Sequence, residues 1–115
     1  MRAFEIGIEW NGDAVHLHVR GELDIAVAQD LVDRVEAIRD SSVRVALLDL
    51  EGVTFIDSSG LRALLCAQQA AEEDEDFEVI VVRTPKKVRE VIRLTGADRL
   101  LRLEDALPPV GTDAG

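Results

Sequence analysis

Apolar residues recur at every second position in two stretches near the start of the chain. Phe4, Ile6, Ile8 and Trp10 alternate with Glu5, Gly7 and Glu9, and Val15, Leu17 and Val19 alternate with His16, His18 and Arg20. A period of two marks half-buried strands. Between them Asn11-Gly12-Asp13 is a tight-turn signal. Residues 3–20 are therefore predicted to form an antiparallel hairpin with one apolar face. Gly21-Glu22-Leu23-Asp24 breaks the alternation, and from Ile25 the period becomes helical. Ala28, Leu31, Val32, Val35 and Ile38 fall on one stripe, with Asp24 as a candidate N-cap and Ser41-Ser42 as a stop.

The next run, Val43 to Leu50, is apolar on both alternating faces, as expected for a central strand covered on both sides. Glu51-Gly52 interrupts it, Val53–Ile56 continues apolar, and Asp57-Ser58-Ser59-Gly60 follows. Leu61, Leu64, Leu65 and Gln68 then carry helical spacing to about Ala71, and Glu72–Asp76 reads as an acidic loop. Val79–Val82 predicts a short strand. Thr84-Pro85 opens a third helix that Gly96 ends, and Leu100, Leu101 and Leu103 predict a last short strand. Pro108-Pro109 and the polar residues after them predict a disordered tail over 108–115. Strands alternating with helices give an α/β fold: one domain over residues 3–107, a mixed and largely parallel β-sheet with an N-terminal hairpin and helices mainly on one face. Its predicted core includes Leu31, Val35, Val45, Leu47, Leu48, Leu50, Leu64 and Val81.

Composition narrows the function classes. With 115 residues the chain suits one domain with a real core. The net charge of −10 repels phosphate backbones and anionic lipid, which argues against direct nucleic-acid or membrane binding and for a protein partner. No apolar run approaches the roughly 18 residues of a membrane span. The single cysteine, Cys66, excludes an internal disulfide, and the cytoplasm is the default compartment.

Several stretches invite a chemical reading. Ile56-Asp57-Ser58-Ser59-Gly60 has the strand-to-helix context of a nucleophile elbow, but Ile56 stands where that crowded turn needs a glycine. The chain offers only His16 and His18 as a base, so a small serine hydrolase is a weak alternative. His16-x-His18 places two imidazoles on one strand face. That supplies two ligands where tetrahedral zinc takes four, with nothing fixing a glutamate beside them, so the pair reads as solvated polar residues and no metal is assigned. Neither a phosphate-binding loop nor a dinucleotide fingerprint is present, and no cofactor is expected. Cys66 reads as a packed thiol, and Lys86-Lys87 as a solvated pair at a helix start.

The adjacent serines ask for more than a cap. Asp57, Ser58 or Ser59 alone could satisfy the orphan N–H groups of the following helix. A run of small hydroxyl residues at such a helix start suits acceptance of a phosphate, because the dipole and free N–H groups tolerate its charge.

Gly21-Glu22-Leu23-Asp24 after a hairpin, with Asp57-Ser58-Ser59-Gly60-Leu61 after a buried strand, resembles the STAS-domain anti-sigma factor antagonists of bacteria. The resemblance runs over about residues 4–104 and implies a STAS-like fold and a regulatory, non-enzymatic protein. Such proteins bind an anti-sigma factor that is also a serine kinase, which frees the sigma factor. The kinase phosphorylates the first serine of the motif, here Ser58, and a serine phosphatase reverses it. The resemblance places Asp24 near Ser58 and implies a partner-binding patch of Asp24, Asp57, Ser59, Gly60 and Leu61. In it Gly60 keeps the approach to Ser58 open and Leu61 anchors or borders the contact. Family members often end in a fourth helix, whereas here Glu104–Leu107 runs directly into Pro108-Pro109. STAS domains also serve as subunits of stress-signalling scaffolds and lipid-transport complexes. A scaffold would assemble into a large particle; an antagonist is expected as a monomer or weak dimer.

Overall fold

Gly12, with φ of +64°, closes a two-residue turn that pairs β1 (Phe4–Asn11) antiparallel with β2 (Ala14–Leu23) in the computed structural model, which describes residues 4–107. The expected tail at 108–115 lies outside the described residues. After β2 come α1 (Ile25–Arg39), β3 (Val45–Ile56), α2 (Ser58–Glu72), β4 (Glu78–Val82), α3 (Lys86–Leu94), a 3-10 turn (Ala97–Arg99) and β5 (Leu103–Glu104). The sheet order is β1-β2-β3-β4-β5, with every pair after the hairpin parallel. Each helix thus carries the chain one strand further in the same direction. Crossovers of a parallel sheet are right-handed, so all three helices fall on one face.

That face holds the main core. Val15, Leu17 and Val19 of β2 and Leu48 and Leu50 of β3 are fully buried beneath Leu31 and Val35 of α1 and Leu64 of α2. Of the predicted core residues only Val45 is half-buried, and Leu47 faces the other way, packing with Ile80 and Val82 on the far side of the sheet. The apolar face of β1 is less covered than its alternation predicts. Ile8 is 40% and Trp10 64% exposed, because β1 is the edge strand and the helices pack over β2, β3 and β4 instead. In α1 the buried stripe is Val27, Leu31, Val35 and Ile38, with Ala28 and Val32 half-buried at its side.

Three boundaries depart from the sequence pattern, each for a physical reason. β2 does not stop at Gly21 but continues to Leu23 through two register shifts, with Gly21 at φ +99° absorbing one of them. β3 does not break at Glu51-Gly52 and does not begin at Val43; it is one strand of 12 residues. At Gly52 a Cβ would lie 2.6 Å from Cγ of Arg20, so the glycine lets the Arg20 stem cross the neighbouring strand at an irregularity. The last strand is only Leu103–Glu104, because Leu100 and Leu101 end the 3-10 turn that follows Gly96 (φ +81°).

Asp49, in the middle of β3, is 2% exposed and is a polar residue that the two-faced apolar pattern hides. Its carboxylate accepts hydrogen bonds from Arg83 Nε (3.1 Å) and Nη2, from His16 Nε2 (2.8 Å) and from the Glu51 backbone N–H (3.0 Å). Burial is the largest single influence on Asp49 and pushes its pKa up. The bonds from Arg83, Glu51 and His16 together outweigh it and hold the group below the usual aspartate range. Arg83 is the one non-glycine residue among those described with positive φ (+52°), a conformation that costs an L residue about 1–2 kcal/mol. Asp49→Asn is expected to cost about 1–3 kcal/mol, since it keeps the shape but withdraws charge from a buried network. An unchanged urea midpoint for this variant would refute that role for the carboxylate.

Candidate functional site

β2 and β3 run parallel, and each feeds directly into a helix. Leu23 and Ile56 are register partners at the ends of the two strands, so the residues that follow them, Asp24 and Asp57, lie side by side. Both adopt nearly the same extended backbone, φ/ψ −120°/−171° and −113°/−171°, and both cap a helix. Asp24 Oδ1 accepts from the Ala26 N–H and Asp57 Oδ1 from the Gly60 N–H, each at 3.0 Å. A 3.4 Å bond from the Asp57 N–H to the Leu23 carbonyl ties one corner to the other. Two helix N-termini, each a partial positive charge, therefore open at the same end of the sheet.

With Asp57 carrying the cap, Ser58 is the first helical residue and is exposed. Ser59 is half-buried behind it. Asp24, Asp57 and the two serines lie at one corner of the sheet. Gly60 and Leu61 do not belong to its surface. Gly60 is buried, and a Cβ there would meet the Leu23 carbonyl oxygen at 2.1 Å and Leu23 Cγ and Ile56 Cγ1 at 2.9 Å. Gly60 thus lets the first turn of α2 rest on the β2–β3 ends and does not hold an approach open. Leu61 is 9% exposed and packs in the main core beneath the corner.

Two exposed apolar side chains flank the corner that sequence reading did not single out. Ile25, next to Asp24, is 76% exposed, and Phe55, two residues before Asp57, is 49% exposed. Ile25 has the spacing of the α1 stripe but stands at the first helical position, beyond the edge of the core. The available signal was an unneeded β-branched residue at a helix start.

The other candidates lie elsewhere. His16 and His18 are on β2, at least five strand positions before Leu23, or roughly 16 Å away along the strand. Neither supplies a base to Ser58, which removes the support for a serine hydrolase. Lys86 and Lys87 are exposed at the start of α3. Cys66 is exposed on α2, not packed as expected, because it falls outside the stripe of Leu61, Leu64 and Ala67. Among the described residues no helix is long and apolar enough to cross a membrane.

A family model described as "Mlab, STAS domain" matches residues 6–103. The chain belongs to the STAS-domain family. The match spans the hairpin, the capped corner and the sheet through β5. Among curated STAS relatives, the anti-sigma-F factor antagonist RsfB of Mycobacterium tuberculosis is 29% identical over 97 residues, covering 84% of this chain and 77% of that protein. The crystal structure of an anti-sigma factor antagonist from Mycobacterium paratuberculosis superposes with a TM-score of 0.77 at 26% identity, covering 91% of this chain and 88% of that one. The Bacillus cell fate determinant SpoIIAA in its phosphorylated form shares the fold, with a TM-score of 0.66 at 19% identity over 90% of this chain and 92% of that one. The STAS fold, one mixed five-stranded sheet with helices on one face, is thus what these residues build.

Proposed function

We propose that this STAS protein is an anti-sigma factor antagonist: it binds an anti-sigma factor serine kinase in the cytoplasm, frees a sigma factor, and is released when the kinase phosphorylates Ser58. A serine phosphatase returns it to the binding form. The relatives named as antagonists support the class, and the observation that carries the mechanism is the exposed Ser58 hydroxyl at the first position of a helix whose cap Asp57 already makes. A kinase needs an acceptor it can reach, and the fold has no need of this hydroxyl for capping. Asp24, Asp57 and Ser59 supply polar contacts around it. Ile25 and Phe55 supply the desolvated anchors on which interfaces concentrate their binding energy. Gly60 and Leu61 act from below, by holding the corner's shape.

The reading is tested with a purified anti-sigma factor kinase and ATP. Ile25→Asp and Phe55→Asp are each expected to weaken kinase binding at least tenfold in calorimetry while the melting curve stays within a few degrees, since both side chains are exposed. Mass spectrometry is expected to place the phosphate on Ser58. Phosphate on Ser59 alone, or full affinity in both apolar variants, would overturn the assignment.

A further inference from the structure

The two histidines do not stand alone on their face of the sheet. Glu9 of β1 is the register partner of His16, and its Oε1 lies 2.8 Å from His18 Nε2 and 4.0 Å from His16 Nδ1. Two residues at i and i+2 on one strand and a third across the antiparallel pair thus converge from rigid backbone. We propose that Glu9, His16 and His18 form a binding site for a divalent transition-metal ion of the zinc type, with His16 Nδ1, His18 Nε2 and a Glu9 carboxylate oxygen as ligands and an open fourth position for water. The site is separate from the Ser58 corner and stands whether or not that corner binds a kinase.

Several observations support it. Ligands held about 2.0–2.1 Å from a tetrahedral zinc ion lie roughly 3.3 Å from one another, and the 2.8 and 4.0 Å separations bracket that value. His16 also has the outer partner that metal-bound imidazoles require: its Nε2–H donates to the buried Asp49 carboxylate at 2.8 Å. That bond fixes the tautomer and leaves the Nδ1 lone pair facing Glu9. Asp49 is held in place by Arg83 and offsets its charge, and Glu51 at 3.6 Å from Arg83 and Glu9 leave the cluster net negative.

One change of shape is required. The imidazoles are stacked, with ring centroids 3.8 Å apart and planes at 17°, and two parallel rings cannot both aim a lone pair at one ion. One ring must turn about χ2, a broad torsion. His18 is the ring free to do so. Its side chain is 27% exposed, and its Nδ1 is 3.7 Å from Asp49, too far for a hydrogen bond, whereas His16 is 13% exposed and anchored. The ion replaces the His18–Glu9 hydrogen bond with two coordinate bonds.

The test is calorimetric titration of zinc chloride into the untagged full-length chain. One ion is expected to bind per chain and to raise the melting temperature. His18→Ala and Glu9→Gln, at exposed or half-exposed positions whose variants circular dichroism should show to be folded, are expected to lower the affinity at least tenfold. Asp49→Asn is expected to lower it roughly ten- to a hundredfold, the effect of losing an outer-shell partner. Cys66→Ser is expected to leave it unchanged, which separates this site from binding at the exposed thiol. Absence of saturable binding with zinc raised to about 100 µM would overturn the proposal. So would affinity that survives both His18→Ala and Glu9→Gln.

Discussion

Gly60→Ala is expected to lower the stability of this protein by roughly 3 kcal/mol or more, at the top of the range for inserting a methyl group into a packed site. The added Cβ would lie 2.1 Å from a backbone oxygen of Leu23, a neighbour that cannot rotate away, and 2.9 Å from the Leu23 and Ile56 side chains. To make room, the first turn of α2 must lift off the ends of β2 and β3. That displaces Asp57, whose cap bond goes to the Gly60 N–H itself, and carries Ser58 with it. Gly60→Arg should unfold the corner outright. A urea midpoint should show the loss directly. A Gly60→Ala protein as stable as the wild type would mean that α2 does not seat on the strand ends as described. A binding defect in any Gly60 variant therefore reports on the fold as well as on the interface, whereas Ile25 and Phe55 variants report on the interface alone.

Phosphorylation of Ser58 is expected to weaken kinase binding about a hundredfold, about 3 kcal/mol, with the fold unchanged. The modification adds roughly −1.5 to −2 charges at neutral pH. At the first position of α2 the helix dipole offsets part of this, by about 0.3–1 kcal/mol for an exposed anion. The side chain projects into solvent, so nothing in the core must move. At the interface the balance differs. The new charge joins Asp57 and Asp24, and it faces a kinase site that holds nucleotide phosphates. Ser58→Ala is expected to stay bound and unmodified, and Ser58→Asp to mimic release only in part because it carries less charge. Calorimetry on the protein before and after complete phosphorylation measures the ratio. Equal affinities would remove the switch, and a large drop in melting temperature would show that the phosphate acts on the fold.

Much of this fold is written in local pattern. Period-two runs marked β1 and β2, the Ile25–Ile38 stripe marked α1, and small polar residues marked where α2 begins, because each signal depends only on which side chains a strand or helix must bury. A capped start was legible at each helix for the same reason, since a cap is a local requirement, but which of Asp57, Ser58 and Ser59 makes the second cap was not, and only the family resemblance implied that Asp24 lies near Ser58. The strand ends and the glycines were not local. Gly52 reads as a break and proved to be the gap through which Arg20 of the neighbouring strand passes. Gly60 reads as an open approach and proved to be a tight contact with the end of β2. In both cases the residue that decides the outcome lies more than thirty positions away, and only strand pairing brings it near. The same holds for Asp49, hidden in an apolar run until Arg83 and His16 surround it, and for Glu9, which meets His16 and His18 only once the hairpin sets its register. The sequence by itself determined the elements, their order and the polar residues at the two helix starts. The tertiary structure decided which glycines bear contacts, which apolar side chains remain for a partner, and which charges share a site, because those depend on distances across the sheet that no local period encodes.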